Sequence, residues 1–308
     1  MEKISIVTPT FNEEDNILLL CKKIKNEFSK LNYDYEHIVI DNNSTDKTIS
    51  ILRNICSQDK NVKVIINNKN YGHITSPFYG LLQSSGNATI FIASDFQDPV
   101  ELIPELINKW KDNHKVVLLQ KNLSEENLFI KTARRLYYRF LSKISHANLT
   151  VDTTGSGIYD KSVLDTFRSL KDPIPYLRGL VSEVEGNIGL IKFDQPKRRT
   201  GKTKNNLFTL IDMAMLGFVK HSKLPLRFMI IFGLILSFIS ICVSIIFLFY
   251  KIFYWNHFEL GIAPIVIGFF FMSAIQIILI GILGEYISVT LTHTRSLPLV
   301  VEKERINF

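Results

Sequence analysis

Asp95, Gln97 and Asp98 stand directly behind an apolar run, Thr89-Ile-Phe-Ile-Ala-Ser94, and directly ahead of Pro99. Two carboxylates and an amide at the end of a short stretch of strand character offer hard oxygen ligands. Such ligands suit Mg2+ or Mn2+ beside a substrate phosphate. The same residues also read as an ordinary acidic turn with Asp98-Pro99 opening a helix. Other polar groups occupy matching places. Pro9, Thr10 and Glu13 follow the run Ile4-Ser-Ile-Val7, and Asp41-Asn-Asn-Ser-Thr-Asp46 follows Glu36-His-Ile-Val-Ile40. Asn70 and Gly72 follow a third apolar run over 62–66. Further on, Gln195-Pro-Lys-Arg-Arg-Thr-Gly-Lys-Thr-Lys204 gathers basic residues around a glycine. Such a cluster cannot pack in a core and calls for anions, either lipid headgroups or a diphosphate.

These groups need elements to position them. Strands are expected over 4–7, 36–40, 62–66 and 89–93, and helices over about 15–31, 47–55 and 74–85. Ile17, Leu20, Ile24 and Phe28 share one face of the first helix. Strand alternating with helix at this spacing gives βαβ units and a mainly parallel sheet, so the fold class is α/β. Successive strands end in polar loops, which therefore converge on the sheet's carboxyl edge, where open α/β sheets bind ligands. Neither GxGxxG nor GxxxxGK[ST] is present, which excludes the usual dinucleotide fold and the P-loop.

Of the 308 residues 46% are hydrophobic, unevenly spread. Residues 228–250 and 261–284 contain no charge, and each run is long enough to cross a bilayer as a helix. Lys220, Lys223 and Arg227 flank the first run, and Arg295, Lys303 and Arg305 the second, which predicts both chain ends on the cytoplasmic side of a plasma membrane. Met1-Glu2-Lys3 running straight into strand-like Ile4 predicts no signal peptide. Cys21, Cys56 and Cys242 lack metal-type spacing and predict no disulfide framework. A net charge of +7 fits either nucleic acid or an anionic membrane surface. With two spans and no nucleic-acid motif, the membrane is the expected partner and nucleic acid is not. The organisation expected is a cytoplasmic domain over 1–204, an interfacial helix over 205–225, two spans over 226–290 and a tail over 291–308.

Residues 127–145 form a basic amphipathic helix candidate, suited to a bilayer surface or a lipid phosphate and equally to a solvated face over a core stripe. Residues 206–219 read as a helix lying in the interface.

In this order the loops resemble glycosyltransferase family 2 and, within it, the transferases that act on polyprenyl phosphates. Val7-Thr-Pro-Thr-Phe-Asn-Glu13 is similar to the family's first nucleoside loop, and Asp41-Asn-Asn-Ser-Thr-Asp-Lys-Thr48 to its DDxSxDxT segment. Lys69-Asn-Tyr-Gly-His73 resembles RNFGH, and Ser94-Asp-Phe-Gln-Asp-Pro99 resembles the second half of DADLQDPPE. The resemblance implies a GT-A nucleotide-sugar fold, with a nucleotide-sugar donor, a polyprenyl-phosphate acceptor and Mg2+ or Mn2+ held by Asp95 and Gln97. It implies donor contacts from Pro9, Thr10, Glu13, Asp41, Asn42, Asn70 and Gly72, and a basic lid carrying Arg199 and Lys202. Arg134 or Arg135 would hold the acceptor phosphate. Asp98 and Ser156 would lie at the reaction centre, with a Gly-rich structural turn an equal reading for Ser156. A homo-oligomer formed through the spans is left open.

Two positions depart from the pattern. Asn42 stands where a second Asp is usual, and Ala93 where the first Asp of the DxD pair is expected. They support a rival reading, a non-catalytic membrane scaffold or flippase partner. A processive polysaccharide synthase is a further alternative, weakened by the lack of a QxxRW motif and of more spans.

Overall fold

The computed structural model describes residues 2–122, 153–170, 172–173, 175–196, 224–253, 262–294 and 297–308. The chain forms two compact units, Met1–Ile211 together with Arg295–Phe308, and Asp212–Thr294. In the first unit the element order begins β1 (Lys3–Thr10), α1 (Ile17–Phe28), β2 (Asp34–Asp41), α2 (Thr48–Gln58), β3 (Val62–Asn67), α3 (Gly72–Leu82) and β4 (Ala88–Phe91). A 3-10 turn at Val100–Leu102 leads into α4 (Ile103–Lys111), then β5 (Val116–Lys121), β6 (Thr153–Asp160), α5 (Lys161–Ser169), α6 (Leu177–Val184), β7 (Ile188–Phe193) and, at the end of the chain, β8 (Glu302–Ile306).

Among the described residues these strands make one eight-stranded sheet in the order β7-β5-β6-β4-β1-β2-β3-β8. β1 pairs parallel with β2 and β4, and β2 with β3, as the alternating pattern requires. β6 is reversed between β4 and β5, and β8 is reversed on the outer edge of β3. The sheet is thus mixed and mainly parallel. Strands covered on both faces read as continuous apolar runs, and two cores follow. Ile4, Ile6, Val39, Val64 and Ile90 pack beneath α1, α2 and α4. Val7, Ile38, Ile40, Ile65 and Tyr159 pack on the other face, under α3, α5 and α6. The face expected for α1 is the one found, with Ile17, Leu20, Ile24 and Phe28 all buried.

One glycine is fixed by space. Gly157 pairs with both Phe91 and Leu118 and has φ +154°, and a Cβ there would stand 2.0 Å from the Val117 carbonyl oxygen. No side chain fits between β5 and β4 at this point.

In the second unit, α7 (Leu224–Phe253) and α8 (Ile262–Thr294) have 30 and 33 residues. Large apolar side chains point outward from both, among them Phe228, Phe238, Ile277 and Ile280. Among the described residues one segment, Phe271–Thr292, is long and apolar enough to cross a membrane, with 22 residues at mean hydropathy 1.9. The candidate helices over 127–145 and 206–219 lie outside the described residues, as do Arg134, Arg135, Arg199 and Lys202.

Candidate active site

β1, β2, β3 and β4 all end at the same edge of the sheet, and the polar loops behind them meet there. The first two loops are stitched together. The Asn12 N–H donates to Ser44 Oγ at 2.9 Å, and Asn12 Oδ1 accepts the Thr45 N–H at 2.8 Å. Thr48 Oγ1 accepts the Glu13 N–H at 2.9 Å, and Glu13 in turn accepts from Asn16 Nδ2 at 2.7 Å. Asn12 and Asn43 take left-handed backbone, φ 56° and 64°, which asparagine tolerates better than most residues. Pro9 and Thr10 are the last two residues of β1, paired with Ile40 and Asp41.

Asp41 is fully buried at the end of β2. Ser44 supplies a backbone N–H to one carboxylate oxygen at 2.8 Å and its hydroxyl to the other at 2.5 Å. Burial raises the Asp41 carboxyl above its ordinary range, against the pull of those two hydrogen bonds. Asn42 is 7% exposed, and its amide is used on both sides. Nδ2 donates to Asn70 Oδ1 at 2.8 Å and to the Gly72 carbonyl at 3.1 Å. Oδ1 accepts the Tyr71 N–H at 2.8 Å and Asn67 Nδ2 at 3.1 Å. An aspartate cannot make the two donated bonds, so asparagine is the residue this arrangement requires. The departure at position 42 is therefore a fitted part of the β3–α3 loop, which itself turns through Gly72 at φ +80°.

The fourth loop closes on itself. Asp95 is 7% exposed and accepts the Gln97 N–H at 3.2 Å across Phe96, whose φ of 60° is an uncommon state for an aromatic residue. Asp98 is 3% exposed, and one of its oxygens accepts both the Ser156 hydroxyl at 2.5 Å and the Ala93 N–H at 3.2 Å. Burial raises the Asp98 carboxyl, with the Ser156 bond pulling the other way. Asp98 therefore ties the 93–98 turn to β6, and Asp95 and Gln97 are presented at the sheet edge by that tie. Among the described residues no group of three or more His, Cys, Asp or Glu side chains gathers.

The structure brings Pro9, Thr10, Glu13, Asp41, Asn42, Asn70, Gly72, Asp95, Gln97, Asp98 and Ser156 to one edge. Residue patterning marks Ser44 only as a plausible cap of the helix from Lys47 and does not single out Asn67 or Tyr71, whose importance lies in their hydrogen bonds to Asn42, 25 and 29 positions away. Ser44 instead donates its N–H and its hydroxyl to Asp41, three residues back; for Asn67 and Tyr71 no residue-pattern signal was available.

Comparison with known proteins extends this picture. The chain is 31% identical over 298 residues to an uncharacterized glycosyltransferase, YkcC, of Bacillus subtilis strain 168, covering 96% of this chain and 92% of that one. It is 30% identical over 306 residues to the bactoprenol glucosyl transferase of Shigella phage SfX, covering 98% and 99%. A mycobacterial protein of known crystal structure shares the fold, with TM-score 0.51 and 18% identity over 71% of this chain and 73% of that one. The model of glycosyl transferase family 2 matches residues 5–168, which hold β1 to β4, their four loops and Ser156. With more than half its length matched by that model, and with relatives aligned almost end to end, this chain belongs to glycosyl transferase family 2 and is a glycosyltransferase of the GT-A fold.

Proposed function

We propose that this chain moves one sugar from a nucleotide-diphosphate sugar, most simply a UDP-sugar, to a polyprenyl phosphate such as undecaprenyl phosphate at a membrane surface. The observation that carries the proposal is the near end-to-end match to a bactoprenol glucosyl transferase, at 30% identity. In the proposed site, the loops after β1, β2 and β3 receive the nucleoside, with Thr10, Glu13, Asn70 and Gly72 along their rim. Asp95 and Gln97 are the residues that would hold a divalent ion, and both lie at the edge rather than inside the sheet. Such an ion, when bound, supplies positive charge to the donor's diphosphate.

The acceptor needs little activation. A phosphate monoester has a second pKa near 6 and is largely dianionic at neutral pH, so its oxygen attacks without a strong general base. That oxygen forms the new bond to the anomeric carbon, the bond from that carbon to the donor diphosphate breaks, and the nucleoside diphosphate leaves with the electron pair. In-line attack inverts the anomeric centre. Protein work then consists of holding charges in place. Arg134 or Arg135 would hold the acceptor phosphate, and Arg199 and Lys202 would close over the diphosphate. Asp98 and Ser156 keep the 93–98 turn in register. Both α7 and α8 are proposed to cross the membrane, since 30 residues of helix extend about 45 Å, more than a bilayer's apolar core.

Purified full-length protein with labelled UDP-glucose, undecaprenyl phosphate and Mg2+ or Mn2+ should give one sugar per lipid. Asp95→Ala should lower the rate by about a hundredfold or more. Failure with UDP-, GDP- and dTDP-sugars alike would sink the proposal and favour a scaffold, and a growing glycan chain would favour a synthase.

A further inference from the structure

β8 is a charged strand, Glu302-Lys-Glu-Arg-Ile306, with little apolar content to explain why it joins the sheet. Specific polar partners hold it. Arg53 pairs with Glu304 at 2.5 Å, the Tyr79 hydroxyl donates to Glu302 at 2.9 Å, and Arg305 reaches Gln83 at 2.9 Å. Asn307 Nδ2 donates to the carbonyls of Cys56 at 2.9 Å and Val62 at 2.8 Å. A sheet edge of this kind could serve only to cover β3 against unwanted pairing.

The contacts extend past the ladder, however. Register shifts between Ile66 and Asn67, where β3 ends. Immediately beyond, the Val301 carbonyl accepts the Asn68 N–H at 3.1 Å, and the Val301 N–H donates to the Tyr71 hydroxyl at 3.0 Å. That hydroxyl donates in turn to Asn68 Oδ1 at 2.7 Å. The triangle Asn68–Tyr71–Val301 grips the β3–α3 loop from outside, while Asn42 grips it from inside through Tyr71, Asn70 and Gly72. The RNFGH segment that this loop resembles has Phe where Tyr71 stands, so the hydroxyl is an addition that the staple uses. Asn68, Lys69 and Asn70 are otherwise exposed, and an exposed loop left with one anchor samples many conformations.

We propose that the C-terminal strand is a working part of the donor site, stapling the 68–72 loop into the conformation that receives the nucleotide. This rests on the reading of that loop as the donor's, and the test separates the two.

Full-length wild type, Tyr71→Phe, Val301→Pro and the double variant would be compared in the lipid-transfer assay with UDP-glucose. Losing the staple should raise the donor KM about fivefold, the equivalent of one net hydrogen bond, with kcat and the acceptor KM within twofold. Both changes cut the Val301–Tyr71 bond, and Tyr71→Phe also removes the bond to Asn68, so the double variant should be little worse than Tyr71→Phe alone. Amide hydrogen exchange at Asn68, Tyr71 and Gly72 should accelerate in all three variants. Unchanged donor KM together with unchanged exchange would overturn the staple. An edge cover alone would leave donor KM unmoved while β3 exchange stays slow, which also overturns it. A wild-type enzyme inert toward UDP-, GDP- and dTDP-sugars would instead overturn the donor reading, and loop exchange in Tyr71→Phe would then decide the staple by itself.

Discussion

Asn42→Asp is the single change that best separates an organiser of the β3–α3 loop from a contact to the proposed nucleotide donor. The wild-type amide donates two hydrogen bonds, to Asn70 and to the Gly72 carbonyl, and accepts two, from Asn67 and Tyr71. A carboxylate of the same shape keeps the accepted pair and loses the donated pair. It also turns a negative charge toward two oxygens in a position only 7% exposed. Two lost bonds at about 1 kcal/mol each, plus the cost of facing acceptors without donors, come to about 3 kcal/mol. For a folded unit of this size that corresponds to a melting temperature lower by about 6–12 °C. The same surroundings raise the introduced acid's pKa, and its protonated form can donate one bond again. The deficit relative to wild type at the same pH should therefore shrink as pH is lowered from 8 to 5.5, whereas the deficit of Asn42→Ala should not. Thermal unfolding of the detergent-purified protein by intrinsic fluorescence, at both pH values, reads this out. If Asn42→Asp melts with wild type at pH 8 and only its donor KM rises, Asn42 touches the nucleotide and the loop-organiser account is wrong.

Ser156→Ala removes the 2.5 Å hydroxyl donor to the buried Asp98 carboxylate, leaving it the Ala93 N–H. A loss of about 2 kcal/mol in denaturant titration is expected, with a fall in kcat as the turn carrying Asp95 loosens. Stability should also fall on acidification in two windows. His37 is 1% exposed, and its Nδ1 finds no partner among the described residues. Burial pushes its pKa down from 6.5 to about 4. The unfolded chain takes up that proton below pH 6.5 and the folded one does not, so stability is full above 6.5. It drops by about 3 kcal/mol as pH falls to 4. For Glu36, burial pushes the carboxyl up but hydrogen bonds from Lys3, Lys63 and Ser5 overcome it and hold it at about 2, so its contribution is lost between pH 4.5 and 2. His37→Gln should flatten the first window alone in pH-dependent unfolding.

The four parallel strands and the three helices between them were legible because apolar runs and helical spacing repeat within a few residues. The gathering of the candidate site's loops at one edge was legible for the same reason: polar residues directly behind a strand must lie at its carboxyl end. β8 was not legible, since Glu302-Lys-Glu-Arg-Ile306 carries no apolar alternation and gains its place from Arg53, Tyr79 and Gln83, more than 200 positions away. Asn42 read as a weakened copy of an aspartate because a motif compares one position at a time. Its four partners, spread over Asn67 to Gly72, are visible only once β2 and β3 stand side by side.

The loops at this edge hold one another through protein-to-protein hydrogen bonds. Asn12 is bound to Ser44 and Thr45, and Ser44 to Asp41. Asn42 secures the next loop, and Asp98 fixes the fourth to β6. Polar side chains in these loops thus serve mainly as ties between neighbours, and the backbone between the ties is shaped in advance. Left-handed residues at Asn12, Asn43, Gly72 and Phe96 mark where each loop is bent into that shape. Conformational entropy lost in folding is not lost again on binding, so a preformed edge spends less of a ligand's interaction energy on ordering protein. The proposed transfer between two phosphate-bearing substrates depends on bringing like charges together in a fixed line. If that edge receives the donor as proposed, its preformed loops meet that demand on one side of the reaction.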